Sequence, residues 1–235
     1  MLKNKKNKIK TKEEWADIFA EAKHGHVLWD GNAIDPTNPT HAFNTAQNFV
    51  AHSKHLGFFK EGDRILDLGC GNGRFAIAFS EMKVEYEGVE PMKECVDFCK
   101  KAFIDYDHIK FYHTPINSPE YGLYGETSMI DFKLDYTDHY FNNIICYSVF
   151  THLKTLDIAK NYIKEIKRLL KKDGNLFITF YRSPPNKSAD EFIGRTVYNE
   201  WDIMTMLNNF EIIYSYGGHT SEYYDQWGLF CRYCF

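Results

Sequence analysis

Three glycines at alternate positions, Gly69, Gly71 and Gly73, separate an apolar strand-like pentad at 64–68 from a helix-like stretch at 74–82. Glycine lets a chain turn sharply and lets a ligand reach the main chain with no Cβ in the way. A helix that starts after such a turn also leaves free N–H groups facing that ligand. Asp67 stands two positions before the first glycine. A carboxylate there suits a cation better than a pyrophosphate.

The spacing supports the same reading. It is G-x-G-x-G, with Arg74 where a dinucleotide fingerprint would carry its third glycine. S-adenosylmethionine brings an ammonium and a sulfonium, whereas a nicotinamide dinucleotide brings two phosphates. Spacing and charge together favour the former.

The elements that must position this turn alternate from Arg64 onward, the pattern of a parallel sheet covered by helices. Strands are expected at 64–68, 86–89, 110–113, 143–148 and 175–181. Helices are expected at 74–82, around 92–103, from about 156 to 170, and at 198–207. Met92, Cys95, Val96, Cys99, Ala102 and Phe103 form one apolar stripe. Leu156, Ala159, Ile163, Ile166 and Leu170 form another, and Lys171-Lys172-Asp173-Gly174 after it suits a helix C-terminus. The strand at 143–148 is apolar throughout, as burial on both faces requires. The last two strands, 211–216 and 227–234, have no helix between them and should pair antiparallel. Residues 114–140 lack periodicity and hold Pro115, Pro119, Gly122 and Gly125, which reads as a long functional loop. The division expected is a tail and helical cap over 1–59, followed by one α/β domain over 60–235. Turn signals Asp35-Pro36 and Asn38-Pro39 break the cap.

The run Asp67-Leu-Gly-Cys-Gly-Asn-Gly-Arg74 resembles motif I of the class I S-adenosylmethionine-dependent methyltransferases. The resemblance covers about residues 58–180, and the closing strand pair is similar to the end of that family's sheet. It implies a Rossmann-like three-layer α/β sandwich with a seven-stranded, mostly parallel sheet and a C-terminal antiparallel hairpin. It also implies S-adenosyl-L-methionine as cofactor, held by Asp67, Gly69, Cys70, Gly71, Gly73 and Arg74. Glu90 would accept hydrogen bonds from both ribose hydroxyls, a task that suits a carboxylate. Pro91 and Met92 would pack on the adenine. Tyr147-Ser148-Val-Phe-Thr-His152-Leu is similar to a segment that faces the transferring methyl in small-molecule members. The family's usual acid after strand three is absent; Thr114-Pro-Ile-Asn117 stands there, so either Asn117 or backbone atoms hold the adenine amino group. Strand four opens with Phe141-Asn142 in place of the usual Phe-Asp.

An oxygen acceptor must lose a proton, and an imidazole titrates near neutral pH, so His152 is the best-placed base. It can equally brace the helix that follows. His113, His41 and Tyr147 are weaker candidates. The pocket cover expected combines Trp29 and Phe43, the 114–140 loop and residues 184–197. A nucleobase enzyme would carry [N/D]-P-P-[Y/F] after strand four; Ser148-Val-Phe-Thr151 stands there instead, and Ser183-Pro-Pro-Asn186 follows strand five and lacks the aromatic. The acceptor expected is therefore a small molecule, and the resemblance implies a sugar or a similar metabolite. The rival readings are an NAD(P)-dependent oxidoreductase and a cofactor-binding protein without catalysis.

Composition narrows the partners. The net charge is −4, and without Lys3, Lys5, Lys6, Lys8, Lys10 and Lys12 of the tail the rest stands near −10, which speaks against a nucleic-acid track. The tail reads as a solvated, frayed end. Aromatic residues make up 17% of the chain, which fits either a ring-lined pocket or a ring-rich core. Six cysteines (Cys70, Cys95, Cys99, Cys146, Cys231, Cys234) sit in core-like segments without zinc-ligand spacing and read as reduced thiols of a cytoplasmic protein. The longest apolar runs, such as 144–150, are too short to span a bilayer. Oligomeric state leaves no trace in the sequence.

Overall fold

The computed structural model describes residues 9–22, 41–119, 122–183, 191–192, 195–220 and 225–234. Its frame is a central sheet of β1 (Arg64–Leu68), β2 (Glu85–Glu90), β3 (Ile109–His113), β7 (Phe141–Cys146), β8 (Leu170–Arg182), β11 (Phe210–Thr220) and β12 (Asp225–Tyr233). The spatial order is β11-β12-β8-β7-β1-β2-β3. Strands β3, β2, β1, β7 and β8 run parallel, and β12 pairs antiparallel with both β8 and β11. Between β3 and β7 come the short β4 (Ile116–Ser118), β5 (Leu123–Tyr124) and β6 (Thr127–Ser128), which form a separate small sheet. The short β9 (Glu191–Phe192) and β10 (Arg195–Tyr198) extend the main sheet beside β8, giving nine strands among the described residues where seven were expected.

Alternation of side chains across the pleat builds two cores. Leu66, Leu68, Ile144, Cys146, Leu176 and Ile178 face one side, against α5 (Leu156–Leu169) and α6 (Glu200–Met206). Ile65, Ile145, Phe177 and Phe230 face the other, against α1 (Lys12–Ala20), α2 (His41–His55), α3 (Ala76–Phe79) and α4 (Lys93–Ala102). The abundant rings mostly fill that second core. Phe49 packs on Phe75, Phe177 and Phe230, with centroids 4.4, 4.8 and 6.2 Å away. Phe58, Phe59 and Phe79 join edge to face.

Several expectations shift. The segment expected as a helix over 74–82 is mostly tight turns around the four-residue α3. Lys171–Gly174 does not cap α5; it bulges out of β8, where the pairing with β7 jumps from Phe141↔Leu170 to Asn143↔Asn175. The positive φ falls on Asp173 (58°), not on the glycine. Gly174 is required by contact instead, because a Cβ there would meet the Lys171 carbonyl oxygen at 2.8 Å.

The 114–140 segment is ordered by pairing. β4 pairs antiparallel with β5 and parallel with β6. Gly125 seats against Pro115, whose carbonyl group lies 2.1 Å from where a Cβ would stand. Farther along, Arg168 on α5 donates to the carbonyls of Leu134 and Tyr136 and to Glu165 and Asp138. Glu165, itself buried, also accepts the Leu134 N–H at 2.8 Å. This clamp fixes Phe132, which stacks on Tyr162 with ring centres 4.1 Å apart.

Helices α1 and α2 fall within residues 1–59, and their Trp15, Ala46, Phe49 and Val50 pack into the second core. Lys10, expected in a solvated tail, is held instead: its ammonium lies 3.2 Å from Asp105 and over the rings of Trp15 and Tyr106. Lys3, Lys5, Lys6 and Lys8 fall outside the described residues, as do Asp35-Pro36, Asn38-Pro39 and Pro184–Asn186. No helix among the described residues is long and apolar enough to cross a membrane.

Candidate active site

Strand β1 ends where the order of the sheet reverses, between β2 and β7, the place where open α/β sheets bind ligands. The turn that leaves it is tied to β2, because the N–H groups of Gly69 and Cys70 both donate to the Val89 carbonyl, at 2.9 and 3.1 Å. Gly69, Gly71 and Gly73 all have positive φ (74°, 54° and 74°), a conformation that costs a side-chain-bearing residue about 1–2 kcal/mol. At Gly69 contact adds to this, since a Cβ would lie 2.5 Å from a Val149 methyl.

A cavity of about 380 Å³ opens over this turn. Asp67, Gly69, Cys70, Gly71, Arg74, Glu90, Pro91, Met92, Tyr147, Ser148 and His152, eleven of the sequence candidates, line it together. Two do not. Gly73 packs beneath, where a Cβ would stand 3.0 Å from the Cys99 sulfur and 3.1 Å from the Phe111 ring. Asn117 is exposed on β4, whose alternation turns Ile116 and Ser118 inward. On this strand the cavity is therefore bounded by Ile116 and Ser118, not by the Asn117 side chain.

Each carboxylate is held in a defined state. Glu90 accepts the Gly71 N–H with one oxygen and the Met92 N–H with the other, both at 3.0 Å. Asp67 is buried and accepts the Tyr86 hydroxyl at 2.5 Å. Burial pushes its pKa up to about 7, against the opposing pull of Tyr86 and the Arg74 charge.

At the other end of the cavity, β7 leads into Ser148, whose φ of 59° is unusual for a residue with a side chain. Its N–H donates to the buried Thr179 hydroxyl at 2.7 Å, and its carbonyl accepts the Thr151 hydroxyl at 2.9 Å. A short 3₁₀ turn, Phe150–His152, then carries His152 to the cavity wall. The Tyr198 hydroxyl braces this turn, lying 3.0 Å from the carbonyls of both Phe150 and Leu153. Strain held by surrounding bonds in this way is common at working sites.

The weaker candidates divide. Tyr147 lines the cavity with its pKa raised by burial. His113 does not line it; its Nε2 lies 3.0 Å from the Pro91 carbonyl oxygen. The His41 side chain and Trp29 lie outside the described residues. Phe43 packs into the core on the α1–α4 side and is not part of the lining. Of the expected cover, the 114–140 segment borders the cavity through Thr114, Ile116, Ser118, Leu123, Met129 and Phe132. Sequence reasoning missed Tyr162, Tyr181, Gln226 and Cys95 as lining residues. Cys95 was legible as part of the α4 stripe, but nothing local marked the other three.

The cavity can accept a nucleoside. Its floor has glycine where a Cβ would intrude, and the carboxylates of Asp67 and Glu90 stand beside the turn. A family of methyltransferase domains matches residues 40–227. The chain belongs to that methyltransferase-domain family and has the class I, S-adenosylmethionine-dependent architecture. An uncharacterized methyltransferase of Schizosaccharomyces pombe is 31% identical over 150 residues, which is 63% of this chain and 50% of that protein. The chain thus spans about half the length of such curated relatives. Among solved structures, a SAM-dependent methyltransferase of Methanosarcina mazei superposes with a TM-score of 0.59 at 15% identity, covering 79% of this chain and 97% of that one. The [4+2]-cyclase SpnF superposes with a TM-score of 0.63 at 15% identity, covering 95% and 96%.

Proposed function

We propose that this protein transfers a methyl group from S-adenosyl-L-methionine to an oxygen of a small molecule, such as a sugar or a similar metabolite, with His152 as general base. The observation that carries the reading is the shared cavity: the glycine turn, Glu90 and His152 border one cavity. The donor, when bound, supplies a methyl already activated by its sulfonium. The remaining work falls to this chain. Glu90 anchors the ribose, Asp67 complements the ammonium, and Pro91 and Met92 cover one adenine face. Tyr147 and Ser148 set the distance and angle of approach, and such alignment contributes on the order of 7–11 kcal/mol. His152 Nδ1 or Nε2 takes the hydroxyl proton as the new bond forms. The apolar wall excludes water from that step. A net charge of −4 supports a small acceptor over a nucleic acid.

Incubation with donor carrying a tritiated methyl and a panel of hydroxylated metabolites tests the proposal. Label should appear in one compound class with wild type and fall by about 10²–10⁴ in rate with His152→Ala. A second reading is that the cofactor is bound without being consumed. Tight donor binding without label transfer to any class would favour it.

A further inference from the structure

We propose that Tyr86 is a positioning residue for the donor: its buried hydroxyl holds the Asp67 carboxylate in place and sets the pH above which that carboxylate can meet an ammonium. The inference rests on the reading in which Asp67 complements the donor, and deepens it.

Asp67 lines the cavity and Tyr86 does not. Tyr86 is fully buried on β2 opposite Ile65 of β1, and its ring packs against Phe79 and Phe111 with centroids 5.4 and 5.8 Å away. Asp67 follows Ile65 by two residues, on the same face of β1, and its direct partner on β2 is Gly88. Gly88 leaves the space beside the carboxylate clear; a Cβ there would stand 2.7 Å from Phe111 and 2.8 Å from the Cys70 sulfur. Across that space the Tyr86 hydroxyl donates to Asp67 Oδ2 at 2.5 Å.

The charged and titratable neighbours of Asp67 divide. Arg74 on the glycine turn favours the ionised carboxylate, and Glu90 at the end of β2 opposes it. Cys70 of the turn and Cys146 of β7 lie within reach of its charge as neutral thiols, because burial raises both. Burial has the largest effect and opposes the charge; the largest counterweight is the Tyr86 hydrogen bond. The phenol keeps its own proton throughout, since burial and the Asp67 charge hold its titration well above the ordinary tyrosine range. Tyr86 is therefore a fixed donor to a carboxylate that must be charged to bind a cation.

Calorimetric titration of S-adenosylhomocysteine into wild type and Tyr86→Phe from pH 6 to pH 9.5 tests the proposal. Comparing the two proteins at each pH cancels the ligand's own titration. Phenylalanine keeps the ring packing and removes the donor. A hydrogen bond to a charged group moves its titration by about one to two pH units, so the midpoint of the affinity profile should rise by that much in the variant. At pH 7 the variant should bind about tenfold more weakly, and at pH 9.5 within about twofold of wild type. With Asn already at position 67, the same substitution should change affinity by less than about twofold at every pH. Tyr86 replaced by 3-fluorotyrosine, a stronger donor of nearly the same shape, should lower the midpoint, which covers a phenylalanine variant that does not fold. A loss of affinity equal at every pH, as a purely packing role would give, overturns the proposal. So does a midpoint that Tyr86→Phe leaves unmoved, or an equal loss when position 67 is Asn. A wild-type profile that is flat refutes the pairing of Asp67 with the ammonium, and a wild type that binds no S-adenosylhomocysteine refutes the donor reading; either result takes this inference with it.

Discussion

The proposed pairing of Asp67 with the donor's ammonium makes donor binding depend on pH in a calculable way. In the free protein its pKa is raised from 3.8 to about 7, chiefly by burial. At pH 5 the carboxyl is therefore about 99% protonated and cannot complement an ammonium. Bound donor favours the ionised form and draws the value back toward the ordinary range. With the bound group ionised throughout, the dissociation constant grows as one plus ten to the power of seven minus pH. Between pH 8 and pH 5 this is about a hundredfold, or about 2.7 kcal/mol. Calorimetric titration of S-adenosylhomocysteine from pH 5 to pH 8 reads it directly: affinity falls about tenfold per unit below pH 6.5 and is level above pH 7.5. Asp67→Asn, which keeps the shape and the Tyr86 contact, should flatten the profile and bind more weakly at pH 8. An affinity constant within twofold across the range refutes the reasoning, and so does a slope that survives in Asp67→Asn.

The same carboxyl shapes stability. Its folded value lies above its unfolded one, so the folded chain holds an extra proton between about pH 4 and pH 7. That stabilisation is complete below pH 4 and lost as pH rises through 7; the ligand-free melting temperature should fall from pH 5 to pH 8, and less so in Asp67→Asn, as calorimetry can follow. Gly69→Ala adds a positive-φ cost of about 1–2 kcal/mol to a 2.5 Å contact with Val149, and should abolish S-adenosylhomocysteine binding at concentrations that saturate wild type. Tyr198→Phe leaves the Phe150 and Leu153 carbonyls without that donor and should cost about 1–3 kcal/mol in urea unfolding, with turnover lowered because His152 loses its brace.

The parts of the fold legible in the sequence are those encoded locally. Residues 64–68 form β1 as expected, because five residues between a charged start and a glycine turn read as a strand whatever lies beside them. The α4 stripe was readable, since period and burial coincide there. The strand expected over 143–148 starts two residues earlier, because Phe141 already pairs in the sheet, and β7 ends at Cys146. The small β4–β6 sheet was not: strands of two and three residues carry no period, and their pairing depends on Gly125 meeting Pro115. The bulge at Lys171–Gly174 mimics a helix cap in sequence and is decided only by the register against β7. At the site, the glycine turn and Glu90 were local signals. Asn117 could not be placed because its strand was read as loop, so no alternation could be applied. Phe132, Tyr181 and Gln226 reach the cavity through the Arg168 clamp and the β8–β12 pairing, contacts between residues 30 or more positions apart.

The central claim is that the glycine turn and Glu90 hold a positively charged nucleoside that carries no phosphate. Titration of S-adenosylhomocysteine and of NADH into wild type and Glu90→Ala, by calorimetry at pH 8, tests it most directly. The account predicts one S-adenosylhomocysteine per chain, an affinity reduced at least about tenfold in Glu90→Ala, and no heat from NADH. Binding of NADH that S-adenosylhomocysteine fails to displace, or no response to S-adenosylhomocysteine at millimolar concentration, would contradict it.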